Sequence, residues 1–146
     1  MSMYKQFQTD PSIEQKGVIL DYGTFRVTVA RAGGGNKRYA AVLEARSKPF
    51  RRAIQTETIS PERASAILRE TYAEAVVQRW EVNVGTEKEP QWKEGIEGPN
   101  GDLLPPTKEN IIQAFASLPD LFEDIQVQAQ RVALYRAAVQ EADSGN

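Results

Sequence analysis

Apolar and polar residues alternate along two adjacent stretches of the chain. Val18, Leu20 and Tyr22 alternate with Ile19 and Asp21, and Phe25, Val27 and Val29 alternate with Arg26, Thr28 and Ala30. A period of two places each set on one face of a strand. The break at Asp21-Tyr22-Gly23-Thr24 between β-branched runs predicts a hairpin. An isolated hairpin is marginal in water, so a further strand or a helix must cover its apolar face.

Gly33-Gly34-Gly35-Asn36 ends the alternation. From Lys37, the residues Ala40, Ala41, Leu43, Glu44, Ala45 and Arg46 suit a helix that stops before Pro49, with another turn or two over 50–56. Ser60-Pro61-Glu62 combines an N-cap serine, proline at the first helical position and an early acid. Ala64, Ile67, Leu68, Tyr72, Ala75 and Val76 then follow a 3.6-residue stripe, predicting a helix to about Arg79. Alternation returns in Trp80-Glu81-Val82-Asn83-Val84, with 91–96 as the expected partner strand. Gly98-Pro99-Asn100-Gly101-Asp102 is a turn. Pro105-Pro106-Thr107 opens a helix with Ile111, Ile112 and Phe115. After Ser117-Leu118-Pro119-Asp120, one last helix carries Leu121, Phe122, Ile125, Ala129, Val132, Ala133 and Val139.

The expected fold is therefore α+β and predominantly α-helical: an N-terminal β-hairpin, a central amphipathic helix, a short second hairpin and two C-terminal helices. Residues 1–16 are polar, hold Pro11 and show little periodicity. They read as a flexible N-terminal arm with a short helix near 13–16. A single globular domain over 17–142 and a disordered tail at 143–146 complete the expected organisation, and 146 residues suffice for one core.

Composition removes whole classes of chemistry. The chain has no cysteine and no histidine, which excludes disulfides, thiol nucleophiles, zinc sites built on Cys or His, and any step that uses imidazole. Met1-Ser2-Met3-Tyr4-Lys5 has no apolar core of a signal peptide, and no apolar run approaches the ~18 residues a membrane-spanning helix needs. A soluble, intracellular protein is the expectation. Charge is uneven: residues 1–52 hold ten Lys/Arg against four Asp/Glu, and 53–146 hold eight against sixteen. Such asymmetry serves an anionic partner, steered docking, or neutralisation between the two halves of one fold.

Four features are candidates for function. Gly33-Gly34-Gly35-Asn36-Lys37 lies between strand and helix, where phosphate loops occur. It matches neither GxxxxGK[ST] nor GxGxxG, and reads more simply as a flexible connection. Lys37, Arg38, Arg46, Lys48, Arg51 and Arg52 form a basic segment with only Tyr39 and Phe50 interleaved. That suits a surface for an acidic protein partner better than nucleic acid, which favours aromatic stacking platforms. The carboxylate pairs Glu70/Glu74, Glu94/Glu97 and Glu123/Asp124 lack DxD, ExxH or EF-hand spacing. They are assigned no catalytic or metal role, and no cofactor is expected. Leu118, Leu121, Ile125, Val132, Tyr135 and Val139 approximate a heptad seam interrupted by Gln128. It serves the chain's own core or receives a partner helix. Trp80 and Trp92, on facing strands, read as a mutually packed pair or as interface anchors.

Three stretches resemble tail assembly chaperones of long-tailed bacteriophages. They are Leu20-Asp21-Tyr22-Gly23-Thr24-Phe25-Arg26-Val27 with Ala30-Arg31-Ala32-Gly33-Gly34 and Asn36-Lys37-Arg38-Tyr39; then Ala75-Val76-Val77-Gln78-Arg79-Trp80; and then Gly95 to Asn110 with Leu118-Pro119-Asp120-Leu121 and the run to Tyr135. The resemblance covers about 17–142 and contains structural residues and no catalytic motif. It implies a non-enzymatic protein of the infected host's cytoplasm that binds the tape measure protein and tail tube subunits during tail assembly. It implies no nucleic acid or membrane partner and leaves homo-oligomerisation open. Many such proteins also exist in a frameshifted longer form. The alternative implied role is a permanent structural protein of the tail or head–tail junction.

Overall fold

The expected hairpin is the first half of a four-stranded antiparallel sheet. The computed structural model describes residues 3–144. Helices α1 (Met3–Phe7) and α2 (Pro11–Lys16) precede strands β1 (Val18–Asp21) and β2 (Phe25–Val29). Helix α3 (Lys37–Ser47), a 3-10 turn (Lys48–Phe50), α4 (Arg51–Gln55) and α5 (Pro61–Ala75) then cross over to β3 (Val77–Asn83). β4 (Trp92–Glu94) follows, and the sheet order is β1-β2-β3-β4. A two-stranded sheet, β5 (Ile96–Glu97) with β6 (Leu103–Leu104), leads into α6 (Lys108–Ser117), α7 (Pro119–Gln130) and α8 (Val132–Ser144). The molecule is α+β and mostly helical.

Register explains which side chains are inside. Leu20 pairs with Val27, Val27 with Trp80, and Phe25 with Val82, so one face of the sheet is continuously apolar. α5 covers that face from the crossover, and α6 and α7 complete the cluster. The rings form a continuous run through it. Tyr22 stacks on Phe25 at 4.8 Å, Phe25 on Trp80 at 5.8 Å, and Trp80 lies 6.1 Å from Phe115. Phe115 stacks on Phe122 at 4.7 Å, Phe122 meets Tyr72 edge-on, and Tyr72 meets Tyr39 edge-on. The run joins the hairpin to every large helix but α8, so the two charge-asymmetric halves share one core.

Capping at α5 and α6 follows the sequence closely. The Ser60 hydroxyl accepts from the Arg63 amide at 3.1 Å, and Thr107 accepts from Asn110 at 3.2 Å. Other elements depart from expectation. α5 ends at Ala75, four residues early, because Val77 and Arg79 are drawn into the ladder opposite Val29 and Thr28 around a bulge. The single last helix breaks at Arg131, which is extended (φ −77°, ψ 103°). There the Ala129 carbonyl accepts the Ala32 amide at 2.9 Å, and Tyr135, fully buried, donates to the Val29 carbonyl at 3.1 Å. Two tertiary hydrogen bonds thus redirect the chain, and the heptad seam is cut between Ile125 and Val132.

Residues 11–16, expected to end a flexible arm, form a docked helix. Asp10 caps α2 by accepting the Ser12 amide at 2.8 Å, and Glu14 is 1% exposed, paired to Arg31 at 2.5 Å. Of the tail expected at 143–146, residues 145 and 146 lie outside the described residues, and the backbone of 143 and 144 is helical.

A candidate partner-binding groove

The glycine loop has the form of an anion site, and a side chain of the protein itself fills it. Glu14 reaches into it. One carboxylate oxygen accepts from Arg31 and the other from the Gly35 amide at 3.3 Å, while Gln15 donates to the Gly35 carbonyl at 3.1 Å. The loop therefore binds an anion, and the anion is a side chain of α2. Gly34 adopts φ +52°, and a Cβ there would strike the Glu14–Arg31 pair; a Cβ on Gly35 would lie 2.8 Å from the Pro11 backbone. Asn36 closes the base, its amide donating to the Arg31 and Ala75 carbonyls at 2.9 Å each. These glycines serve close packing between α2, the loop and α5.

The basic segment is split by the fold. Arg46 faces α5 and pairs with Glu74 at 3.2 Å and Glu70 at 3.5 Å. Burial acts to raise the Glu74 carboxyl, but hydrogen bonds and charges from Arg46 and Lys108 outweigh it and hold Glu74 below its ordinary value. This use of Glu70 and Glu74 is structural. Arg51 approaches Glu44 at 3.7 Å, both well exposed. Lys37 and Arg38 begin α3, Lys48 lies in the 3-10 turn and Arg52 in α4; all are exposed, and none forms an ion pair among the described residues. Five of the six cations thus lie on the surface of the crossover, and Arg46 bridges two helices.

The tryptophans separate as well. Asn83 pairs with Trp92, so Trp92 and Trp80 project from opposite faces of the sheet. Trp80 is 3% exposed in the core. Trp92 lies on the outer face beneath the Arg26 guanidinium, 4.3 Å from its ring centre, and Arg26 is itself paired with Glu81 at 2.9 Å.

An unfilled site lies on the Trp80 side. Phe25, Trp80 and Val82 form its floor, Ile96 and Leu104 one wall, and Ala114, Leu118 and Leu121 the other. It encloses about 310 Å³. Leu118 at its mouth is 54% exposed and neighbouring Leu103 is 42% exposed. Both are large apolar residues left in water beside an apolar cavity, the pattern of a contact surface. Glu97, Thr24, Asn110, Gln113 and Ser117 supply the polar rim. Outside the groove lining, Tyr22 donates to Asp124 at 2.6 Å, and burial first, then that carboxylate, push its hydroxyl well above the ordinary tyrosine range. Sequence patterning pointed to Trp80, Leu118 and Leu121. It missed the wall of Ile96 and Leu104, because two-residue strands carry no readable period.

Residues 34–146 match the model of a family described as YdaY prophage protein. The chain belongs to that family. It is accordingly a phage-derived protein. No curated protein and no solved structure is significantly similar to it. The match covers the basic segment and all the groove except Thr24 and Phe25 of the hairpin. Among the described residues no cluster of three or more acidic side chains is placed to hold a metal ion, and no helix is long and apolar enough to cross a membrane.

Proposed function

We propose that this chain is a tail assembly chaperone, a non-catalytic protein that binds the phage tape measure protein and tail tube subunits in the host cytoplasm while the tail is built. The observation that carries this reading is the open apolar groove beside exposed Leu118. A protein that keeps another chain's amphipathic helices soluble needs an apolar surface of its own to receive their anchoring side chains. Prophage family membership and the pattern of turn and cap residues across 17–142 support the same assignment.

Co-expression with the tape measure protein of the same prophage tests it. The expected result is a soluble complex recovered by pull-down, lost when Leu118→Glu places a charge in the groove. A tape measure protein that stays insoluble and unbound overturns the reading. Mass spectrometry of purified virions should find the chain absent, since stoichiometric presence marks a permanent structural component. The exposed cations Arg51 and Arg52 contribute steering towards acidic partner segments. Reversing both to Glu should slow association more than it speeds dissociation, because exposed charges act mainly on encounter and are screened within about 8–10 Å. A lowered melting temperature with unchanged association would instead assign them to charge balance within the monomer.

A further inference from the structure

Among the described residues, α1 and the Leu118 groove both leave apolar side chains in water, and the charged groups beside them differ in sign. On α1, Met3, Tyr4 and Phe7 are 65, 77 and 61% exposed. Phe7 lies three residues after Tyr4 and four after Met3, so the three share one side of the helix. Lys5 stands on the same short helix, and the Arg136 guanidinium lies over the Phe7 ring. At the groove, Glu97 lines the cavity, and exposed Asp102 and Asp120 lie within two residues of Leu104 and Leu118 in the groove walls.

One copy does not bring the two together. Phe7 lies against α8, with the Arg136 guanidinium 4.7 Å from its ring centre, and α1 supplies no residue to the groove lining. The groove is also small. About 310 Å³ is at the lower end of ligand-sized pockets (~300–1,000 Å³) and suits one or two anchoring side chains. An aromatic ring on a short helix meets that description, and tyrosine and tryptophan are the side chains that most often anchor interfaces.

We infer that the groove of one copy takes α1 of a second copy, with Tyr4 and Phe7 as anchors and Lys5 against the acidic rim. The contact is head-to-tail, since the surface each copy offers differs from the one it receives. Assembly therefore continues beyond two copies unless the ring closes. The second copy and the tape measure helix of the proposed function would occupy the same groove and exclude one another, so the test of self-association uses the purified chain alone.

Light scattering after size exclusion, across a wide concentration range, should show the wild-type chain self-associating. Tyr4→Glu with Phe7→Glu destroys the anchor and leaves the groove, whereas Leu118→Glu blocks the groove and leaves the anchor. Each variant alone should self-associate at least about tenfold more weakly, the loss expected on removing an anchoring residue. Mixed together they should form a one-to-one dimer that grows no further, because one intact anchor meets one intact groove. Trp80 in the groove floor reports the same event by fluorescence, with Trp92→Phe removing the second emitter. Circular dichroism checks folding, and Leu118→Ser replaces Leu118→Glu if the charge disturbs it. A wild-type chain that is monomeric throughout, self-association untouched by both variants, or a mixture that stays monomeric each overturns the inference. So does a monomer whose groove binds a synthetic basic amphipathic helix, which assigns the groove to a foreign partner.

Discussion

The glycine loop and the Leu118 groove both have the form of ligand sites, and they differ in how far the chain completes them. At the loop, a side chain of the protein itself occupies the place an anion would take. Glu14 takes the Gly35 amide and Arg31, and Asn36 ties the base to α5. At the groove, the apolar floor of Phe25 and Trp80 ends in water at Leu118. The difference reflects cost. An unpaired buried charge is expensive, so folding completes such a site itself. A few exposed apolar side chains cost little in the free protein and remain for a partner.

Stability measurements should separate the two regions. The largest expected effect is at the loop. Glu14→Ala leaves Arg31 without its partner and should cost about 3 kcal/mol, read as a shift of the urea midpoint. A loss under about 1 kcal/mol would mean that water replaces Glu14 freely and that the loop is less closed than its geometry implies.

Alkaline pH probes the tyrosines that connect the regions. Burial is the main cause raising Tyr72, to about 12, and it raises Tyr135 further. A group raised in the folded state contributes stability that is fully present below its unfolded value near 10. That contribution is lost as pH rises towards the folded value. Stability should be flat in this respect below about pH 10 and fall above it, by about 2 kcal/mol from Tyr72 alone. Tyr72→Phe should flatten part of that decline in pH-dependent urea melts, after allowance for the lost Gln130 hydrogen bond.

Smaller effects belong to half-exposed ion pairs. Arg46→Ala removes bridges from α3 to Glu70 and Glu74, and should cost about 0.5–1 kcal/mol, less at high salt. Because Glu74 is held below its ordinary value, its contribution is present above the unfolded carboxylate range and fades as pH falls through the folded value. The smallest effect is Leu118→Ala, within about 0.5 kcal/mol, since the side chain is already half in water. A loss above about 2 kcal/mol would make Leu118 a core residue and the groove a packing defect.

Local pattern determined a good deal. The alternation of Val18 to Val29 specified the hairpin and which face is buried, because side-chain direction along a strand has period two. Ser60-Pro61 and Thr107 specified where α5 and α6 begin, because a cap depends on residues within one turn. The absence of cysteine and histidine removed whole classes of chemistry from composition alone. What the tertiary structure decided depends on partners distant in sequence. Val77 leaves its helix because β2 offers it a strand partner. The C-terminal helix breaks at Arg131 because the Ala32 amide and the Val29 carbonyl, roughly a hundred residues away, bond to Ala129 and Tyr135. Arg46 belongs by sequence to a basic segment but is drawn to α5, while Glu14 belongs by sequence to a polar arm but fills the glycine loop. The groove itself is assembled from β2, β3, the β5–β6 pair and α6 to α7. No segment encodes it, since a cavity is a property of the space between elements and not of any one of them.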